Sequence, residues 1–127
     1  MEVTINDIIN VIPFLQKLVT IKLPARLAYR MVCLSNEIQN EADRIEKIRT
    51  QIADKYFKKD ENGKFALNED KTGYKVKPEL VQDYNMEILS FLREKVELKS
   101  KKLPQDILDL MDDISATDLS QITMFFE

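Results

Sequence analysis

The chain contains no histidine, two glycines, four prolines and one cysteine among its 127 residues. Without histidine, a Ser/His/Asp or Cys/His catalytic arrangement cannot form in its usual shape, and the common zinc sites lose their nitrogen ligands. Scarce glycine and proline point to long regular elements rather than many turns, with helix dominant. The lone Cys33 cannot close an intramolecular disulfide, which fits a reducing, intracellular setting. Long apolar runs are also missing. The opening stretch MEVTINDIINVIPFLQKLV has no basic leading region and is interrupted by Asn10, Pro13, Gln16 and Lys17. Neither a secretory signal nor a membrane span is expected from it. Charge of one sign is lacking too: 19 Lys and Arg are interspersed with 22 Asp and Glu. The chain therefore offers no global field to draw in nucleic acid.

A chain of this length reads as a single domain, residues 1–127, able to bury a sizeable core. Val3 and Ile5 alternate with polar neighbours as in a short strand, and Asn6 stands where an N-cap would open a helix. Pro13 predicts a bend in that helix before it ends near Val19. Pro24 then opens a run of some thirty residues without another proline or any glycine, a good helix start because the first turn does not need its N–H. Along this spine helix, about 24–56, Met31, Ile38, Ile45 and Ile52 recur every seven residues, with Leu27, Leu34 and Ile48 in the intervening apolar register and Glu41 and Lys55 breaking it. At a rise of ~1.5 Å per residue such a helix is roughly 48 Å long. A compact globule of this chain length is about 36 Å across. Part of the helix is therefore expected to project, to pack along a second long helix, or to be covered by another subunit.

Beyond Phe57 the stretch KKDENGKFALNEDKTGYKV holds both glycines and two turn-like clusters. It predicts a β-hairpin over about 64–76, with Phe65 and Leu67 on one face, Tyr74 and Val76 on the returning strand, and NEDKTG as the connection. Such a ribbon is marginal alone and should lean on helices or on a partner. Pro78 starts a second helix, to about residue 95, with Val81, Tyr84, Ile88, Phe91 and Leu92 at helical spacing and an antiparallel course along the spine. Val96 and Leu98 alternate with charges and could pair with the N-terminal strand. An acidic segment, 103–127, closes the chain with two short helices, the second begun by Ser115 with Asp118 three residues on. The expected fold is mainly α with a small β component: a long helix packed antiparallel to a second helix, joined by a β-hairpin, with short C-terminal helices.

Few residue clusters suggest chemistry. In NEDKTGYKVKPE, Asn68, Asp70, Thr72, Gly73 and Glu79 fall at calcium-loop spacing. Asn in the first position, Lys75 in the usual apolar one and a strand-like approach favour a hairpin turn instead. Asp106, Asp109, Asp112, Asp113, Asp118 and Glu127 follow Lys102 with no basic residue among them. They could hold magnesium or face a basic partner, but no phosphate-binding loop accompanies them, and a solvated acidic face is the simpler reading. Lys95, Lys99, Lys101 and Lys102 form a basic patch without the interleaved aromatic or Arg residues of a nucleic-acid surface. Cys33 flanks the spine's apolar seam as a small semi-buried residue. The terminal MFF places large apolar groups where a free tail would not, so it either docks in its own chain or enters a neighbouring subunit. Each buried phenylalanine is worth roughly 1.5–3 kcal/mol.

The segments KLPARLAYRMVCL, IADKYFKKDENGKF, GYKVKPE, REKVEL and ISATDLSQI together resemble small uncharacterised proteins encoded by tailed bacteriophages and prophages. Where such proteins often continue KYG, this chain has Tyr56 and Phe57. The resemblance implies a virion or host-cytoplasmic protein without enzymatic activity, cofactor or metal. Its expected partners are copies of itself or other phage structural proteins of head, connector or tail. Membrane, nucleic acid and small-molecule ligands are disfavoured. A soluble inhibitor of a host or defence protein, with the acidic segment as a decoy of nucleic-acid charge, is the alternative. The residues expected at an interface are Met31, Ile38, Ile45 and Ile52 on the spine, Tyr74 on the hairpin, and Phe125 and Phe126 at the tail.

Overall fold

A computed structural model describes residues 1–67, 73–111 and 113–127 of the chain. The elements run β1 (Glu2–Thr4), α1 (Ile5–Leu18), α2 (Ala25–Tyr56), α3 (Val81–Leu92), β2 (Lys95–Glu97), α4 (Asp106–Asp109) and α5 (Ala116–Ile122). Short 3-10 turns occupy Pro78–Leu80 and Thr123–Phe125. The fold is mainly helical with a small antiparallel sheet, and its long helix packs against other helices. The chain divides into two compact units, Met1–Arg44 with Arg93–Glu127, and Ile45–Leu92.

In the first unit, α1 begins at Ile5 rather than beyond Asn6. Thr4 takes the N-cap because Asp7, three residues on, completes a reciprocal box. Asp7 N–H donates to Thr4 Oγ1 at 3.1 Å, and Thr4 N–H donates to the Asp7 carboxylate at 2.9 Å. The helix continues through Pro13 to Leu18 and buries Ile8, Val11, Leu15 and Leu18, a stripe at helical spacing. The alternation read around Val96 does pair with the N-terminal strand, antiparallel in the register Glu2↔Glu97, Val3↔Val96 and Thr4↔Lys95. The second helix accordingly stops at Leu92, short of the expected 95.

The chain end docks in its own unit. Leu103 N–H donates to Phe125 O at 2.8 Å and Glu127 N–H to Leu103 O at 2.9 Å. Phe125 is fully buried, and the Phe126 ring stands edge-on to Phe14 at 5.9 Å. Arg30 secures the terminus by donating to Lys102 O and to the Glu127 carboxylate. Ser115 caps α5, its Oγ accepting from Asp118 N–H at 3.0 Å.

The second unit comprises the end of α2, an extended cluster, and α3. Contacts Tyr56–Tyr84 and Lys55–Glu87 step backward along α2 as they step forward along α3, so these helices run antiparallel. The link between them is more than the hairpin read from sequence. Three extended segments, 57–59, 65–67 and 74–76, bridge one another: Phe57 with Val76, Lys59 with Phe65, and Leu67 with Tyr74. Their hydrogen bonds close a ring, Lys58 N–H to Lys75 O, Lys75 N–H to Ala66 O and Ala66 N–H to Lys58 O, at 2.8–2.9 Å. Each segment is thereby an edge to neither neighbour at its centre. The first reversal is fixed by Asp60, whose carboxylate accepts from Asn62 and Lys64 N–H, while Gly63 takes φ +78°, open to glycine without strain. Most of the expected NEDKTG connection, residues 68–72, lies outside the described residues, as do Asn68, Asp70 and Thr72 of the calcium-loop spacing and Asp112 of the acidic segment.

Candidate protein-interaction surface

Six of the seven side chains expected at an interface are core residues instead. Met31, Ile38, Ile45, Ile52, Phe125 and Phe126 are each at most 5 % exposed within the single chain. The seven-residue repeat thus lines α2's inward face along both units, Met31 and Ile38 in the first, Ile45 and Ile52 in the second. A seam of that kind shows which side of a helix is covered and not by what, which is why its residues could be assigned to another subunit. Tyr74 alone stays open, at 51 % exposure.

Tyr74 belongs to an aromatic cluster built around Phe57. The Phe57 ring lies 5.2 Å from Tyr84, 5.5 Å from Phe65 and 5.9 Å from Tyr74, and Tyr84 in turn meets Tyr56 at 5.8 Å. These separations are those of rings in mutual contact, so the cluster is a packed support for the extended segments and not an open cage for a cation. Beside it lies a hollow of about 420 Å³, walled by Phe57, Phe65, Tyr74 and Tyr84 with Arg49 and Thr50 on the α2 side.

At the end of α2, Lys55 Nζ donates to the Glu87 carboxylate at 2.6 Å. Lys55 first, and then the Tyr56 hydroxyl, hold Glu87 below the ordinary glutamate value. The same contact with Glu87 pushes the Tyr56 phenol up. This arrangement ties α3 to α2 by its one mid-helix carboxylate.

The distribution of apolar surface sets the second unit apart. Of the ten large hydrophobic side chains most exposed among the described residues, six lie in Ile45–Leu92: Ile48, Leu67, Tyr74, Val81, Met86 and Leu89. Of the twenty buried hydrophobic residues among the described ones, only Ile45, Ile52, Phe91 and the small Ala53 lie there. A unit this small has a thin core, and the apolar side chains it cannot cover are on its surface. The sequence reading did not single out Met86 and Leu89, because it followed the inward spacing of α3. The available signal was the lack of Lys, Arg or Glu at the outward positions 82, 85, 86, 89 and 90.

Among the described residues no group of His, Cys, Asp or Glu side chains is placed to hold a metal ion. No helix among them is long and apolar enough to cross a membrane. No protein family, curated protein or solved structure matches this chain.

Proposed function

We propose that the chain is a non-enzymatic bacteriophage structural or assembly protein that works through protein–protein contacts made by the 45–92 unit. Its partners are copies of itself or neighbouring head, connector or tail proteins. The observation that carries this reading is the inverted apolar balance of that unit, with more large hydrophobic side chains exposed than buried. The phage setting comes from the sequence resemblance alone.

The test is amide hydrogen exchange on the purified chain at low and high concentration. Added protection at high concentration within 45–92, and none in 1–44 or 93–127, is the expected result. Protection confined to 103–127 overturns it, whereas none anywhere excludes copies of itself and leaves neighbouring head, connector or tail proteins as the partner. The inhibitor reading is favoured by Asp106, Asp109, Asp113 and Asp118, all exposed and without an ion pair among the described residues. It places the contact on the acidic segment instead, so the same experiment separates the two.

A further inference from the structure

We propose that the hollow between the start of α2 and residues 99–101 binds a nucleotide, with its base on the Tyr29 ring and its phosphate at Lys99 and Lys101. The site lies within the first unit and is independent of the contacts proposed for 45–92.

Along the chain, Lys95, Lys99, Lys101 and Lys102 have no aromatic residue or arginine interleaved among them. Folding supplies both. Tyr29 and Arg30 of α2 wall one hollow together with Lys99 and Lys101, and its volume of about 600 Å³ is within the range of small-molecule sites. Two clamps hold the walls in place. Glu37 accepts the backbone N–H groups of Lys99 and Ser100 at 2.7 and 2.9 Å, and Arg30 donates to Lys102 O. The backbone of the site is thus formed before a ligand arrives, which lowers the ordering cost of binding.

Charge and shape together select the ligand. Arg30 is balanced by the Glu127 carboxylate, 3.2 Å away. Lys99 and Lys101 are exposed and form no ion pair among the described residues, so the hollow keeps two uncompensated positive charges. The chain as a whole carries a net charge of -3, so this positive excess is local and calls for an anion there. Tyr29 beside the lysines is 71 % exposed, the most of any large hydrophobic side chain among the described residues. An acidic peptide would meet the lysines and leave that ring in water. A nucleotide uses both features, because its base stacks on an aromatic face while its phosphate pairs with lysine.

Cys33, the single cysteine of the chain, is exposed and lines the same hollow, so its rate of reaction with a neutral maleimide reports occupancy there. The experiment measures that rate against increasing adenosine monophosphate, single-stranded oligothymidine or polyglutamate, on the natural chain, on Tyr29→Ala, and on Lys99→Gln combined with Lys101→Gln. Circular dichroism verifies that each variant is folded, as expected for exposed positions. At least one of the two nucleotide probes should slow the reaction of the natural chain. Protection by adenosine monophosphate shows that a free nucleotide suffices, and protection by oligothymidine alone identifies a single strand as the source. Tyr29→Ala should weaken the protecting ligand about tenfold, the effect of losing one stacked base. The double lysine variant should weaken it too and make the remaining affinity less sensitive to salt. Protection by polyglutamate equal to that by the nucleotide probes, an unchanged affinity in Tyr29→Ala, or no protection by either nucleotide probe overturns the proposal.

Discussion

Glu37, in the first half of α2, reaches Ser100 across sixty-three positions of chain and accepts its backbone N–H at 2.9 Å, together with that of Lys99 at 2.7 Å. One carboxylate thereby fixes the segment that leaves β2 onto the long helix. Partial burial works against the charged form of Glu37. The hydrogen bonds from Lys99 N–H and from the Ser100 side chain and N–H outweigh it and hold the carboxyl below the ordinary glutamate value.

Glu37→Gln keeps the size and one acceptor but loses the charge. We expect it to destabilise the chain by about 1–2 kcal/mol near neutral pH, measured by denaturant unfolding. Because the folded value is lowered, the contribution of Glu37 is present above the unfolded value of about 4.3 and is lost as pH falls through the folded one. The gap between the natural chain and Glu37→Gln should therefore close in acid, and a gap independent of pH would exclude the charge as its cause.

Phe57→Ala removes the ring that joins Phe65, Tyr74 and Tyr84. A loss of about 2–4 kcal/mol is expected, below the cost at a wholly buried site because Phe57 is only half-buried. The loss should be local. The amides of Lys58, Ala66 and Lys75 should exchange faster, while those of Leu103 and Glu127, in the other unit, keep their protection.

Phe125→Ala tests the docked tail. With no exposed surface, Phe125 should cost about 3–5 kcal/mol on truncation, read from denaturant unfolding. The folded fraction should keep the association state of the natural chain. A change in mass without a loss of stability would return this residue to an interface.

Lys55→Met should let the Glu87 carboxyl rise toward its ordinary value, seen by NMR titration of that side chain, because Lys55 is the leading cause of its depression. The pair Tyr56 and Glu87 also brackets a pH window. Glu87 favours the fold above its unfolded value of about 4.3 and stops doing so as pH falls through its lowered folded value. Tyr56, whose folded value is raised, favours the fold below about 10 and stops as pH rises through that raised value. In Tyr56→Phe the alkaline limb should disappear and the acid limb should shrink.

Local chemistry made parts of this architecture readable before any coordinates. Pro24 announces α2, which begins at Ala25, and the run without glycine or proline carries it to Tyr56. The alternation around Val96 marks β2, and Ser115 marks the start of α5. Phe57 and Lys59 were not readable as an extended segment, since two lysines and a phenylalanine after a helix have no pattern of their own. They become one only through bridges to Phe65 and Val76, partners supplied from farther along the chain. At the proposed contact surface, Tyr74 stood out as a hairpin aromatic, whereas Met86 and Leu89 look like any apolar pair until α2 is known to cover the opposite side of their helix.

The sequence by itself determined which stretches are helical, which side of α2 is apolar, and that histidine-based catalysis is excluded, because these depend on residue type and on spacing along one element. The tertiary structure decided which apolar side chains are used up within the chain. Burial is a property of the space around a side chain, filled by residues distant in sequence, so it moved Met31, Ile38, Ile45, Ile52, Phe125 and Phe126 into the core and left Met86 and Leu89 facing solvent.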